Sequence, residues 1–153
     1  MTKNMIQLQK EDIILDIEAR SKDGALKELA GTLHKHCTNV NIEDLYQVLR
    51  DREQIGSTGV GNGVAIPHGK IKELDRILLC FGRSKNGVGF DSIDNQPVHL
   101  LVMLLSPIQL IDEYLKTLAG ISRLLKDPET RRTLRTTTSK EEVLDIFQKS
   151  LLN

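Results

Sequence analysis

The sequence predicts an α/β fold. Two strongly apolar runs of strand length, residues 77–81 (I-L-L-C-F) and 98–105 (V-H-L-L-V-M-L-L), lie in the middle of the chain. Stretches with helical apolar spacing lie before and after them, at about 22–37, 42–53, 113–126 and from residue 140 onward. The 153 residues suit one domain able to bury a real core.

Taken in order, residues 13–17 alternate in a way that suggests a short strand or edge segment. Ser21 is placed to cap a helix over about 22–37, whose Ala25, Leu26, Leu29, Ala30 and Leu33 share a face. His34 and His36 near its end stand two apart, so they do not share a helix face, and surface and capping roles are expected rather than a metal site. Asn41 opens the next helix, with Asp44 three residues on, and Ile42, Leu45, Tyr46, Val48 and Leu49 on its apolar side. That helix ends in Arg50, Asp51, Arg52 and Glu53, which on their own read as a solvated charged end.

After residue 70 the chain is polar and connecting until the strand at 77–81, where Cys80 reads as a core residue. Residues 84–89 (S-K-N-G-V-G) predict a turn, as do residues 91–97. His99, at the start of the second strand, reads as a hydrogen-bonded structural histidine, with a relay role beside His68 as the alternative. Pro107 marks the exit of that strand. Asp112 is expected to cap a helix over 113–126 with Leu115, Leu118, Ala119, Ser122 and Leu125 inward. Pro128 suits the first turn of a short helix, and Ser139 with Glu142 forms a capping box before Val143, Leu144, Ile146 and Phe147. Arg131, Arg132 and Arg135 read as a solvated face, with an acidic partner as the alternative.

Composition narrows the function. Lys+Arg and Asp+Glu are equal at 21 each, so no global field favours nucleic acid or an acidic membrane surface. Tryptophan is absent and aromatics are scarce, which argues against base-stacking surfaces. Cys37 and Cys80 form no C-x-x-C, so free thiols in a reducing compartment are expected. The polar N-terminus lacks an apolar signal core, and residues 100–105 are far too short a run to span a membrane. A cytoplasmic protein is expected.

The densest chemistry lies in residues 56–70, G-S-T-G-V-G-N-G-V-A-I-P-H-G-K. Small hydrogen-bonding side chains and glycines precede a short apolar run. Pro67 then fixes its own φ, offers no N–H and holds Ile66 extended. His68 follows on a stiff backbone, beside a turn whose N–H groups could face an anion. A P-loop is excluded, because Gly63 and Gly69 are one residue too far apart and Ile71, not Ser or Thr, follows Lys70. The even spacing of Gly59, Gly61 and Gly63 also fails the dinucleotide fingerprint. What remains is a histidine near an anion cradle, and neutral imidazole is a competent nucleophile able to carry a covalent phosphoryl group.

This segment resembles the active-site segment of fructose/mannitol-type enzyme IIA domains of the bacterial phosphoenolpyruvate-dependent phosphotransferase system, most of all the nitrogen-related enzyme IIA branch. A second block at 90–107, F-D-S-I-D-N-Q-P-V-H-L-L-V-M-L-L-S-P, resembles the same family. The resemblance implies a mixed β-sheet flanked by helices on both faces, with residues 1–153 as one domain. It implies that His68 is the phosphorylated residue and that Arg52, in R-E-x-x-G-S-T-G, supplies charge. Ser57, Thr58, Gly59 and Gly61 would hold the phosphoryl oxygens. It implies an upstream histidine-containing phosphocarrier protein and a downstream transporter, kinase or transporter-linked domain. No cofactor, metal, nucleic acid or membrane insertion is expected from the sequence. The role would be nitrogen-type regulation, with a sugar-specific relay or a non-phosphorylated binding module as alternatives. One departure stands out. Many members carry a second histidine where this chain has Tyr114, in Tyr114-Leu115. A shifted alignment would put Lys116 there, and an ordinary core or surface tyrosine is the other reading.

Overall fold

Each predicted segment finds an element in the computed structural model, which describes residues 6–152. In chain order these are β1 (Ile6–Gln7), β2 (Ile13–Ile14), α1 (Lys22–His34), α2 (Ile42–Ile55), β3 (Gly59–Gly61), β4 (Val64–Ala65), β5 (His68–Lys70), β6 (Ile77–Val88), β7 (Val98–Ser106), α3 (Ile111–Lys126), α4 (Pro128–Thr136) and α5 (Lys140–Phe147). The helix starts follow their caps. Ser21 accepts from the Gly24 N–H, Asn41 from those of Glu43 and Asp44, Asp127 from that of Thr130, and Ser139 from that of Glu142.

The seven strands form one mixed sheet. β6 and β7 pair antiparallel at its centre, with Cys80 opposite Met103 and Leu79 opposite Leu104. β1 and β2 run parallel to β6 on its far side, and β4 and β5 run parallel to β7 on the other. The two-residue period of a strand divides the core cleanly. Leu101, Met103 and Leu105 of β7, with Leu78 and Cys80 of β6, pack with Leu29 and Leu33 of α1 and Leu45 and Leu49 of α2. Their neighbours Leu100, Val102, Leu104, Leu79 and Phe81 face the opposite way, onto Ile121 of α3, Leu134 of α4 and Phe147 of α5. Helices therefore cover both faces, and both faces of the central strands are apolar, which is why those strands read as unbroken hydrophobic runs.

Four expectations are corrected. The turn expected at 84–89 lies largely inside β6, which continues to Val88 through a register shift after Arg83. The turn chemistry survives as a bulge: Gly87 has φ 87° and its N–H donates to Ser84 Oγ. α1 stops at His34, short of Cys37. Asp112 lies inside the first turn of α3, whose cap position is Leu110, without a side-chain cap. The inward face of α3 is rotated from the expected one. Tyr114, Thr117, Gly120, Ile121 and Leu125 are buried, whereas Leu115 and Ala119 are exposed.

Candidate active site

The glycine-rich stretch is a β-hairpin. Gly61 pairs with Val64 across Asn62 and Gly63, whose φ values of 57° and 75° are those a tight hairpin turn of the Asn-Gly kind demands. Gly59 pairs with Ala65, and the Thr58 carbonyl accepts from Ile66 N. β4 and β5 lie in one line beside β7, interrupted at Ile66 and Pro67. Pro67 donates nothing, but its carbonyl accepts from Leu104 N, so the strand resumes at His68, opposite Leu104. β3 covers only β4, which leaves the outer edge of β5, and with it His68, open.

The imidazole is held from two sides. Its Nδ1 lies 2.8 Å from the Ile66 carbonyl. A carbonyl only accepts, so Nδ1 carries the proton and Nε2 keeps its lone pair. Arg52 Nε–H donates to that Nε2 at 3.1 Å, and Arg52 Nη1 donates to the Gly56 carbonyl at 2.7 Å. The reach of Arg52 follows from Gly69. A Cβ there would lie 2.7 Å from Val48 Cγ1, so only glycine lets β5 come this close to α2. Val48 and Arg52 stand four apart on α2 and share its face, so the contact that seats Val48 also aims Arg52 at His68. Partial burial is the main cause that lowers the His68 pKa below its ordinary 6.5; the Arg52 charge adds to it, while the Ile66 hydrogen bond and Glu53 oppose it. The ring is thus neutral at pH 7, with its Nε2 electron pair accepting from Arg52.

Tyr114 comes from the other face of the sheet. Its ring centroid is 6.1 Å from that of His68, tilted by 58°. Lys116, the alternative, is exposed and lies along a separate groove with Glu113 and Arg123. Burial pushes the Tyr114 phenol up, with Arg52 pulling the other way, so it stays a neutral donor.

The other expected residues are engaged elsewhere. Ser57 Oγ donates to the Phe90 carbonyl and accepts from Gly59 N. Thr58, only 3% exposed, gives both its N–H and its hydroxyl to the Glu53 carboxylate. Gly61 lies at the hairpin tip, paired with Val64, four residues before His68. The amides expected as an anion cradle are therefore hairpin groups, and Asn62-Gly63 was the signal for it. Glu53, expected with its neighbours at a solvated charged helix end, instead has its side chain buried, because Thr58 and Lys22 supply partners for its charge. Its buried carboxylate holds Thr58 and also pairs with Lys22 Nζ at 2.9 Å.

The remaining histidines stay apart. His99 bonds the Ser84 carbonyl and sits beside Leu100, which pairs with Val64, four residues before His68. His34 bonds the Val40 carbonyl, and His36 pairs with the buried Asp12 at 2.7 Å rather than lying on the surface. Among the described residues no group of three or more His, Cys, Asp or Glu is placed to hold a metal ion. No helix among them is long and apolar enough to cross a membrane.

Residues 6–150 match the family model described as phosphoenolpyruvate-dependent sugar phosphotransferase system, EIIA 2. The chain belongs to this EIIA family. It is 38% identical over 137 residues to a nitrogen regulatory protein of Bradyrhizobium diazoefficiens, covering 90% of this chain and 89% of that one. It is 35% identical over 141 residues to a fructose-specific EIIABC component of Bacillus subtilis, covering 92% of this chain but 22% of that longer protein. The crystal structure of nitrogen regulatory protein IIA-Ntr from Neisseria meningitidis superposes with a TM-score of 0.87 at 33% identity, covering 94% of this chain and 97% of that one. As an EIIA-type domain the chain is a component of phosphoryl transfer, with both nitrogen-regulatory and fructose-specific relatives.

Proposed function

We propose that this EIIA domain carries a phosphoryl group on Nε2 of His68, accepted from a histidine-phosphorylated carrier protein, and acts mainly as a nitrogen-type regulatory component. The observation that carries the reading is the Nδ1–Ile66 bond, which leaves Nε2 as the one nucleophilic nitrogen of a part-buried ring, beside a guanidinium. In the transfer, the Nε2 lone pair forms the new N–P bond. The bond from phosphorus to the donor ring breaks, and its electron pair returns to the donor. The proton stays on Nδ1, donated to the Ile66 carbonyl throughout, so no base is needed and the phosphorylated ring is an imidazolium. Arg52 leaves Nε2 and turns its N–H groups to the phosphoryl oxygens, still tethered at Gly56. Exposed apolar side chains stand on the segments that bring Arg52 and Tyr114 in: Ile55 (84% exposed), Ile111 and Leu115. They suit a protein donor rather than a small molecule.

The phosphorylated state adds nearly two negative charges at an open spot, enough to change the choice of a downstream transporter, kinase or transporter-linked domain. The match to part of a fructose-specific protein supports a second reading, a sugar-specific relay. Incubation with phosphoenolpyruvate and the two general upstream proteins, followed by mass spectrometry under alkaline conditions, tests the common core. Phosphate on His68 is expected, with none on His68→Ala. An unmodified wild type would leave only a non-phosphorylated binding module. A sugar permease gene beside this one would favour the relay.

A further inference from the structure

β5 carries a second cation to the same place. His68 and Lys70 alternate with Gly69, so both side chains leave the strand on the face away from α2. Lys70 Nζ lies 5.4 Å from the centre of the Tyr114 ring, the ring that also stands beside His68. Lys70 is exposed, and among the described residues no carboxylate lies within ion-pair distance of its ammonium. An aromatic face can hold an ammonium in position without neutralising it. The charge is thus kept available at the open edge of the sheet.

We propose that Lys70, parked on the Tyr114 ring, is the second cationic ligand of the phosphoryl group. The proposal rests on His68 being the phosphoryl carrier. A phosphoryl dianion has three oxygens to satisfy. Arg52 approaches from α2 with one N–H already tied to Gly56, and Tyr114 contributes no charge. Lys70 supplies a flexible ammonium with three donors from the Tyr114 side. Tyr114 then has two uses: its hydroxyl is a neutral donor, and its ring is the rest on which the lysine waits.

The test is rapid-quench transfer from the phosphorylated carrier protein to wild type, Lys70→Met, Lys70→Arg and Tyr114→Phe, at low and high salt. Lys70→Met should slow transfer about tenfold, as expected for a lost charge-assisted hydrogen bond. Lys70→Arg should recover most of that loss, and high salt should narrow the gap between Lys70→Met and wild type. Tyr114→Phe keeps the ring, so Lys70→Met should remain costly in that background. A wild type phosphorylated on His68 with Lys70→Met transferring at the same rate overturns the lysine's role alone. A wild type that takes no phosphoryl group overturns the underlying carrier reading as well.

Discussion

Arg52 donates its Nε proton to the Nε2 lone pair of His68, so in the proposed transfer nucleophile and guanidinium are engaged with each other before any donor arrives. The bond keeps the ring oriented but must be exchanged for bonds to phosphoryl oxygens. Arg52→Ala should slow phosphoryl transfer to His68 about 10²-fold, the scale for losing a preorganised donor to developing charge. Arg52→Lys should recover only part, because an ammonium lacks the fork that bonds Gly56 and the phosphoryl group together. Quench-flow kinetics measure both, and unchanged rates would remove Arg52 from the site.

The His68 environment also sets a pH dependence. Its pKa lies below 6.5, chiefly through burial. Transfer should be level above pH 6.5 and fall only as pH drops through the depressed midpoint. NMR titration of the ring should show Arg52→Gln moving that midpoint up and Glu53→Gln moving it down, since the Arg52 charge lowers it and Glu53 raises it. The unfolded chain binds the proton more readily, so His68 makes the fold less stable as pH falls from 6.5 toward the folded midpoint. His68→Gln should blunt that part of the acid sensitivity.

Glu53 ties α2 to the start of the hairpin. Glu53→Gln removes the charge that pairs with Lys22 and weakens the bonds from Thr58. A loss of about 2 kcal/mol in denaturant unfolding is expected, the scale for disturbing a buried charged hydrogen-bond centre. Thr58→Val should cost a similar amount, and the double variant should cost less than the sum, because both changes break the same contact.

Two glycines should respond in opposite ways to alanine. At Gly69 the new Cβ meets Val48, and pushing β5 from α2 also withdraws Arg52 from His68. Gly69→Ala should cost about 1–3 kcal/mol and slow transfer. At Gly31, inside α1, a Cβ meets nothing within 4 Å. Gly31→Ala should stabilise the fold by about 0.5–1 kcal/mol, visible as a higher unfolding midpoint with transfer unchanged.

Much of the fold was legible because its signals are local. Ser21, Asn41 and Ser139 cap as their side chains dictate, and residues 77–81 and 98–105 are apolar enough to be central strands. The misreadings came where a distant partner decides. Residues 84–88 look like a turn but stay in β6 because β7 is there to pair with, absorbing Gly87 as a bulge. The face of α3 was misplaced because Leu115 is as apolar as its neighbours, and only the sheet beneath selects Tyr114 for burial. The resemblance named His68 and Arg52 together, and the structure brings them into contact. The engagement of Ser57 with Phe90 and of Thr58 with Glu53 was not legible, since hydroxyls in a glycine-rich run look equally available for any acceptor.

The Ile66 carbonyl and the His68 ring belong to one short stretch of chain, whereas Arg52 rides on a separate helix. Tautomer and accessibility are thus governed by different parts of the molecule. A visiting protein that shifts α2 would uncover Nε2 without changing the tautomer, so for the proposed transfer docking itself is the trigger while the chemistry stays preset.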